Sequence, residues 1–128
     1  MILTIQTRQK KQVVDITEAL QKYIRVRSFT DGLCNVFVEH TTAAVSTVDL
    51  DPGTDLDYLD ALDAIIPHIT YRHPHNPEHF PDHLLATLVG PSLTVPIHQG
   101  ELQLGVWQRI ALFEFDGPRP RHVFLTLL

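Results

Sequence analysis

The chain has 128 residues, a formal charge of −5 at neutral pH and a single cysteine, Cys34. That length suffices for one domain with its own core, and a lone cysteine excludes an internal disulfide. The acidic balance argues against a broad nucleic-acid surface, and the absence of a signal peptide or membrane span predicts a cytoplasmic protein without membrane partners.

A strand and an amphipathic helix open the chain. Residues 2–7 mix β-branched and polar side chains, which predicts a strand. Asp15, with Glu18 three positions later, resembles a capping box, and apolar residues then recur at helical spacing. We therefore predict a first helix that begins near Asp15 and ends before Asp31.

From Cys34 onward the apolar residues recur at every second position, which predicts a strand. His40 falls on the same face as Cys34, the face that carries the apolar side chains. We expect Cys34 to be a buried, unreactive thiol. The apolar run resumes over residues 43–48, which predicts a second strand.

A second helix and a long loop follow. Thr54, with Asp57, predicts the start of the helix, and Pro67 its end. We expect this helix to bury a stripe of apolar side chains: Leu56, Leu59, Leu62, Ile65 and Ile66. Residues 68–82 show no sustained period and predict a long functional loop, after which Asp82 is expected to cap a short third helix.

The last third of the chain has the pattern of strands separated by turns. Turn residues at His98–Gly100 and Asp116–Pro118 separate three predicted strands, over residues 93–97, 102–115 and 122–127. We therefore predict one α+β domain spanning residues 1–128. It should contain mostly antiparallel, sandwich-like sheets and two or three helices.

Histidines are the main candidates for chemistry. Two histidines four positions apart on a helix can bind zinc. The proline-rich loop contains His73, His75, His79 and His83, among which two pairs have this spacing. Three prolines, Pro74, Pro77 and Pro81, argue against a helix in this loop. Any metal would then be gathered from the folded loop together with His40, with zinc favoured by imidazole ligands. The alternative for His75 and His79 is that they are solvated loop side chains.

Other polar residues could bind a ligand directly. Trp107 with Gln108 offers an aromatic platform beside an amide, which suits a planar heterocycle, although a core tryptophan is an equal alternative. Ser92 with Arg119 or Arg121 could bind phosphate through a hydroxyl and a fork of N–H donors. No nucleophile elbow, phosphate loop or dinucleotide fingerprint is present.

Motifs in order along nearly the whole chain resemble the YjbQ-like family, which is largely uncharacterised and also described as secondary thiamine-phosphate synthase. The resemblance is carried by Asn35–Ala44, Asp51–Pro52, Tyr71–His73, His83–Leu84, Gly90–Ser92, Gly100–Leu102, Gly105–Gln108 and Glu114–Arg119.

The resemblance implies a homotrimer of α+β sandwich-like domains, with a pocket near subunit contacts that binds a metal or an anion. It also implies a weak activity that joins a hydroxymethylpyrimidine diphosphate to a thiazole phosphate with loss of diphosphate. The alternative is a trimer that binds a metal or a phosphorylated metabolite without catalysis.

The resulting predicted site has three parts. The predicted catalytic residues are His40, His83 and Glu114. Zinc or another divalent metal is assigned to His40, His73 and His83. The phosphorylated substrate is assigned to Thr41, Thr42, Ser92, Trp107, Gln108 and Arg119.

Two departures from the family pattern bear on this site. Asp82 stands where the family usually has alanine before the histidine, and residues 47–50 replace a stretch that usually contains asparagine and glutamate. An extra carboxylate beside His83 could raise the basicity of that histidine or add a metal ligand.

Overall fold

A computed structural model describes all 128 residues as three α-helices and eight strands. In chain order the elements are β1 (Ile2–Gln6), β2 (Gln12–Asp15), α1 (Thr17–Val26), β3 (Gly32–Val38), β4 (Ala43–Val48), α2 (Thr54–Ile65), α3 (Phe80–Val89), β5 (Ser92–His98), β6 (Glu101–Leu102), β7 (Arg109–Glu114) and β8 (Pro120–Leu127). A single 3₁₀ turn, Pro77–His79, leads into α3. No helix is long and apolar enough to cross a membrane.

The strands form two antiparallel sheets. The larger sheet has the order β1-β8-β3-β5-β6, and the smaller has the order β2-β7-β4. The predicted α+β class, the antiparallel pairing and the presence of three helices are therefore confirmed.

The main core lies between the two sheets and under α1. The period-two pattern of β3 turns Cys34 and Val36 inward, as predicted, and both are 0% exposed. They share a cluster with Leu20 of α1 and Leu112 of β7. Full burial of an aliphatic side chain stabilises the folded state by roughly 1.5–3 kcal/mol. Because a shift of one residue would expose all the apolar side chains of β3, the alternation determines which face packs inward.

A second apolar cluster covers the other face of the smaller sheet. Phe113 of β7 and the adjoining Phe115 pack with Leu85 and Ala86 of α3. The helix lies against β4, and its start lies near the turn that follows β7, where His79 contacts Asp116.

The caps predicted for α1 and α2 are wrong. At α1, Asp15 accepts hydrogen bonds from the backbone N–H and the hydroxyl of Thr17, at 3.0 and 2.7 Å, while Glu18 pairs with Arg109 instead of completing a capping box. At α2, Gly53 occupies the N-cap position. The hydroxyl of Thr54 donates backwards to the carbonyls before the helix, so it does not accept from the helix N–H groups.

The buried stripe predicted for α2 is wrong at two of its five positions. Leu56 and Ile65 are 58% and 64% exposed, and no residue of α2 is fully buried. The helix contacts the smaller sheet at its edge strand β2, so only the side that carries Leu59 and Leu62 packs against the second cluster. Ile66, just beyond the helix, is buried as predicted.

The last predicted boundaries need two corrections. The strand predicted over residues 102–115 is interrupted, because β6 ends at Leu102 in the larger sheet and β7 begins at Arg109 in the smaller one. The third helix begins at Phe80, which places Asp82 inside its first turn instead of at its cap.

Candidate metal site

Three histidines meet at the start of α3. His73 comes from the preceding loop, His79 immediately precedes the helix and His83 lies in its first turns. Each offers a ring nitrogen, and these three nitrogens lie within 4.8 Å of one another. The ring centroids are 5.0 to 5.7 Å apart. Such a group can hold one metal ion.

The helix start itself brings two of these histidines together. His79 and His83 are four residues apart, so they are one helical turn apart on the same face. Sequence reasoning excluded such a helix because of the prolines, and that exclusion is wrong. Pro81 lies in the first turn, where a backbone N–H has no partner inside the helix, so its absence costs nothing.

Hydrogen bonds indicate which tautomer two of the rings adopt when they are neutral. Nδ1 of His83 lies 3.2 Å from the carbonyl of Thr41; since a carbonyl only accepts, Nδ1 carries the proton and Nε2 keeps its lone pair. Nε2 of His79 lies 2.7 Å from Asp116 Oδ2 and donates to that carboxylate, which leaves the lone pair on Nδ1. Nδ1 of His73 is buried with no hydrogen-bond partner.

These partners are typical of metal-binding imidazoles. A metal-ligating histidine usually donates its other N–H to a carboxylate or to a backbone carbonyl. His79 and His83 have these two kinds of partner. The unpaired nitrogen of His73 costs free energy as long as nothing binds it. The three side chains therefore fit a divalent metal that prefers imidazole, and zinc is the first choice.

Two carboxylates and a lysine adjoin the histidines. Lys10 Nζ lies 2.6 Å from Asp116 and 2.9 Å from Asp82, and His79 Nε2 is 3.4 Å from Asp82. Burial raises the pKa of Asp116, but hydrogen bonds from Lys10 and His79 outweigh it and lower that pKa to about 2. Asp116 is therefore ionised at neutral pH. Arg119 donates to it at 3.0 Å from a half-exposed position.

A buried ion pair fixes the turn that carries Asp116. Glu114 is paired with Arg121, and it accepts hydrogen bonds from the Thr7 hydroxyl at 2.8 Å and from the Asp116 backbone N–H at 2.9 Å. Arg121 also donates to the carbonyl and hydroxyl of Thr42. Burial raises the pKa of Glu114, but these hydrogen bonds lower it further than burial raises it.

This network changes the roles expected for three predicted residues. Glu114, predicted as catalytic, is 0% exposed, and both of its oxygens are occupied, so it positions Asp116. Thr42 is buried in the same network. Arg121, considered as a phosphate ligand, is 1% exposed, and its Nε and Nη2 groups already donate to Glu114 and Thr42.

His40 lies outside the group of three histidines. Its Nε2 accepts the backbone N–H of His122 at 2.8 Å. Burial lowers the pKa of His40, and the positive charges of Arg121 and His122 lower it further. Of the predicted metal ligands His40, His73 and His83, the structure thus brings together only His73 and His83. His79 is the third histidine of the group instead of His40. Thr41 reaches the site through its carbonyl.

Trp107 and Gln108 lie at the other end of β7. Six strand residues separate Gln108 from the turn at Asp116, which is a distance of roughly 20 Å at the rise of a strand. Trp107 is 75% exposed, so it belongs neither to the core nor to the histidine group of its own chain. The exposed Ser92 lies on the larger sheet, where its hydroxyl accepts from the Asn35 amide.

A cleft of about 1110 Å³ opens beside the metal site. Lys10, His79 and Asp82 form part of its wall, and Pro67 and Tyr71 line it as well. Its volume slightly exceeds the usual range for small-molecule sites, and most of its lining residues are polar or charged, which suits a charged ligand better than an apolar one.

The sequence analysis missed three contributors to this site. Lys10 was not considered, His79 was not assigned as a metal ligand, and Asp116 was identified only as a turn residue. The spacing of His79 and His83, with proline confined to the first turn, was an available signal. The pairing of Lys10 with Asp116 joins residues 106 positions apart, and no pattern in a single sequence marks it.

Comparisons with known proteins agree with this fold. A family model described as "UPF0047 protein YjbQ-like" matches residues 1–128. A UPF0047 protein of Archaeoglobus fulgidus is 37% identical over 129 residues, with 100% of both chains covered. The UPF0047 protein Rv2556c of Mycobacterium tuberculosis is 40% identical over 114 residues, with 88% of this chain and 84% of that chain covered.

Solved structures give the same match. An uncharacterized conserved protein of the YjbQ/UPF0047 family from Clostridium acetobutylicum has a TM-score of 0.90 and 34% identity, with 100% of this chain and 99% of that chain covered. A YbjQ-like protein of unknown function from Sulfolobus solfataricus has a TM-score of 0.90 and 30% identity, with 98% of this chain and 92% of that chain covered.

Proposed function

Because the chain belongs to the UPF0047 YjbQ-like family, we propose that it binds one zinc ion through its histidine group and holds a phosphorylated small molecule in the adjoining cleft. The observation that carries this proposal is the set of three ring nitrogens, from His73, His79 and His83, that lie within 4.8 Å of one another. The hydrogen bonds of His79 and His83 support it, because they leave one lone pair on each ring.

The donor set favours a site that remains open to a ligand. Three protein ligands are typical of catalytic zinc sites, which keep a fourth position for water or substrate. Neutral imidazoles leave the charge of the ion intact, and a zinc ion there would supply Lewis-acid stabilisation to phosphate oxygens. The half-exposed guanidinium of Arg119, 3.0 Å from Asp116, adds a second positive group at the same place.

The reaction that we propose to test is the one implied by the family resemblance, the formation of thiamine phosphate. In it the bond between the pyrimidine methylene carbon and the diphosphate oxygen breaks, and the electron pair leaves with diphosphate. The lone pair of the thiazole nitrogen forms the new C–N bond. Arg119 would offset the charge that develops on the leaving group, and Tyr71 on the cleft wall replaces Trp107 as the aromatic surface.

A second candidate function is binding without catalysis, and one observation favours it. The carboxylates nearest the histidines are already committed: Asp116 to Lys10, His79 and Arg119, and Asp82 to Lys10 and His79. Glu114 is buried. None of these three carboxylates is thus free to act as a general base.

We also propose that the chain forms the homotrimer implied by the family resemblance. Ile2, Phe124 and Phe37 lie opposite one another across β1, β8 and β3. Ile2 and Phe37 are 48% and 43% exposed on the outer face of the larger sheet. Exposed apolar rows of this kind mark contact surfaces. We expect light scattering to give three chains per particle for the wild type and one for Phe37→Asp.

The test of the main proposal is a synthase assay on metal-free and zinc-loaded protein. We expect the zinc-loaded wild type to form thiamine phosphate and the His83→Ala variant to form none. The matched control is His75→Ala, because His75 is an exposed loop histidine that should not affect the reaction. Zinc-dependent binding of the diphosphate substrate without product would favour the binding function. Neither binding nor product would refute both.

A further inference from the structure

We infer that Lys10 is the second cation of this site: its ammonium group takes the place of a second metal ion between Asp82, Asp116 and His79. The wild-type chain should therefore bind one divalent ion at the histidine group and no second ion beside it. This inference adds a residue to the site of the proposed function and rests on it in part.

The place in question has the donors of a metal site. His79, Asp82 and Asp116 each offer an atom, and these atoms lie within 4.8 Å of one another. When Nδ1 of His79 binds zinc, the two carboxylates remain as the ligands at this place, and carboxylate oxygens suit Mn²⁺ and similar ions. The side chain of Asp82 is only 9% exposed, so water cannot neutralise its charge. Two adjacent carboxylates favour a cation between them. Lys10 contacts both, at 2.9 and 2.6 Å, whereas Arg119 contacts only Asp116, at 3.0 Å.

The backbone holds Lys10 in this position. The N–H of Gly117 donates to the carbonyl of Lys10 at 2.9 Å. A Cβ atom on Gly117 would lie 2.3 Å from the carbonyl oxygen of Gln9, so only glycine allows the turn after β7 to dock this closely on residues 9 and 10. The backbone of Lys10 is therefore fixed to the same turn that carries Asp116, which keeps its side chain beside that carboxylate.

Asp82 was expected, from its place beside His83, to act on that histidine or to bind metal. Its oxygen instead contacts Lys10 and His79. The negative charge of Asp82 is balanced by the Lys10 ammonium at 2.9 Å, so the site accommodates this carboxylate without recruiting another ion.

Lys10 also retains a free donor for a ligand. Its ammonium has three N–H groups, and two of them donate to Asp82 and Asp116. The side chain is 55% exposed and lies on the wall of the cleft. An anion bound in the cleft, such as inorganic phosphate, can accept the third N–H.

The test counts divalent ions in the wild type, Lys10→Met and Lys11→Met. Lys11 is the matched control, because it lines the same cleft but pairs only with the exposed Asp63. Each protein is loaded with zinc and titrated with Mn²⁺, with free Mn²⁺ followed by electron paramagnetic resonance. We expect Lys10→Met to bind one more divalent ion per chain than the wild type, and Lys11→Met to bind the same number as the wild type.

The count separates this inference from the proposed function. Equal counts in the wild type and Lys10→Met would overturn the role of Lys10, whether or not the wild type binds zinc. A wild type without metal beside a Lys10→Met variant with one ion would overturn the zinc site and leave the role of Lys10 intact. If Lys10→Met does not fold alone, added Mn²⁺ should restore its folding and thermal unfolding transition. No restoration would overturn the inference.

Discussion

Replacing Glu114 by glutamine should destabilise the chain by about 3–5 kcal/mol, because it leaves the Arg121 guanidinium buried without a counter-charge. The side chains of Arg121 and Glu114 are 2% and 0% exposed, so water cannot take the place of the lost carboxylate. Glutamine is nearly isosteric with glutamate, so the loss of charge is the main change. Its amide oxygen can still accept the backbone N–H of Asp116.

The loss of stability can be measured as a decrease in Tm. The entropy of unfolding is about 2.1 cal/mol/K per residue, or roughly 0.27 kcal/mol/K for a chain of this length, so a loss of about 3 kcal/mol lowers Tm by about 11 °C. The matched control is Glu101→Gln. Glu101 pairs with Arg25 where the side chains are 56% and 60% exposed, and such a pair contributes at most about 1 kcal/mol.

The comparison is made at equal protein concentration, since association also shifts Tm. We expect Arg121→Met in the Glu114→Gln background to recover part of the loss, because it removes the uncompensated charge. The reasoning fails if Glu114→Gln lowers Tm by no more than Glu101→Gln does.

Three further predictions concern single side chains. His40 has a lowered pKa, so the folded state resists its protonation; the wild type should lose stability as pH falls below about 6.5, and His40→Gln should lose less over the same interval. Urea titrations at several pH values would show this, and parallel losses would contradict it. Burial raises the pKa of Cys34 to about 11, so a thiol reagent should label it only after unfolding; labelling of the native protein would count against this. Trp107→Ala should change the free energy of unfolding by no more than about 0.5 kcal/mol and leave zinc content unchanged, because Trp107 is exposed; a larger loss would place the indole in a packed environment.

The periodicity of apolar residues predicted the elements whose burial follows from their own sequence. The alternation from Cys34 onward predicted β3 and its buried face, because one side of each strand of this sheet packs inward. The same reasoning failed for α2, whose apolar spacing indicated burial. How much of a helix is buried depends on where it lies on the sheet, and α2 lies at the edge strand β2.

The candidate site was predicted in part for a similar reason. His73 and His83 were identified from sequence, and their assembly with His79 depends on a helix start that tolerates Pro81. Asp116 and Lys10 meet through a turn that docks between distant segments. Pairings over such separations arise from tertiary packing, which one sequence does not encode in any local pattern.

The most direct test of the zinc site is X-ray absorption spectroscopy of the zinc-loaded chain, beside His79→Ala and His75→Ala. We predict one zinc per wild-type chain with three imidazole nitrogens at about 2.0–2.1 Å. His79→Ala should lose one of these nitrogens or the metal itself, and His75→Ala should match the wild type. A wild type that binds no stoichiometric zinc, or a His79→Ala spectrum identical to that of the wild type, would contradict the site.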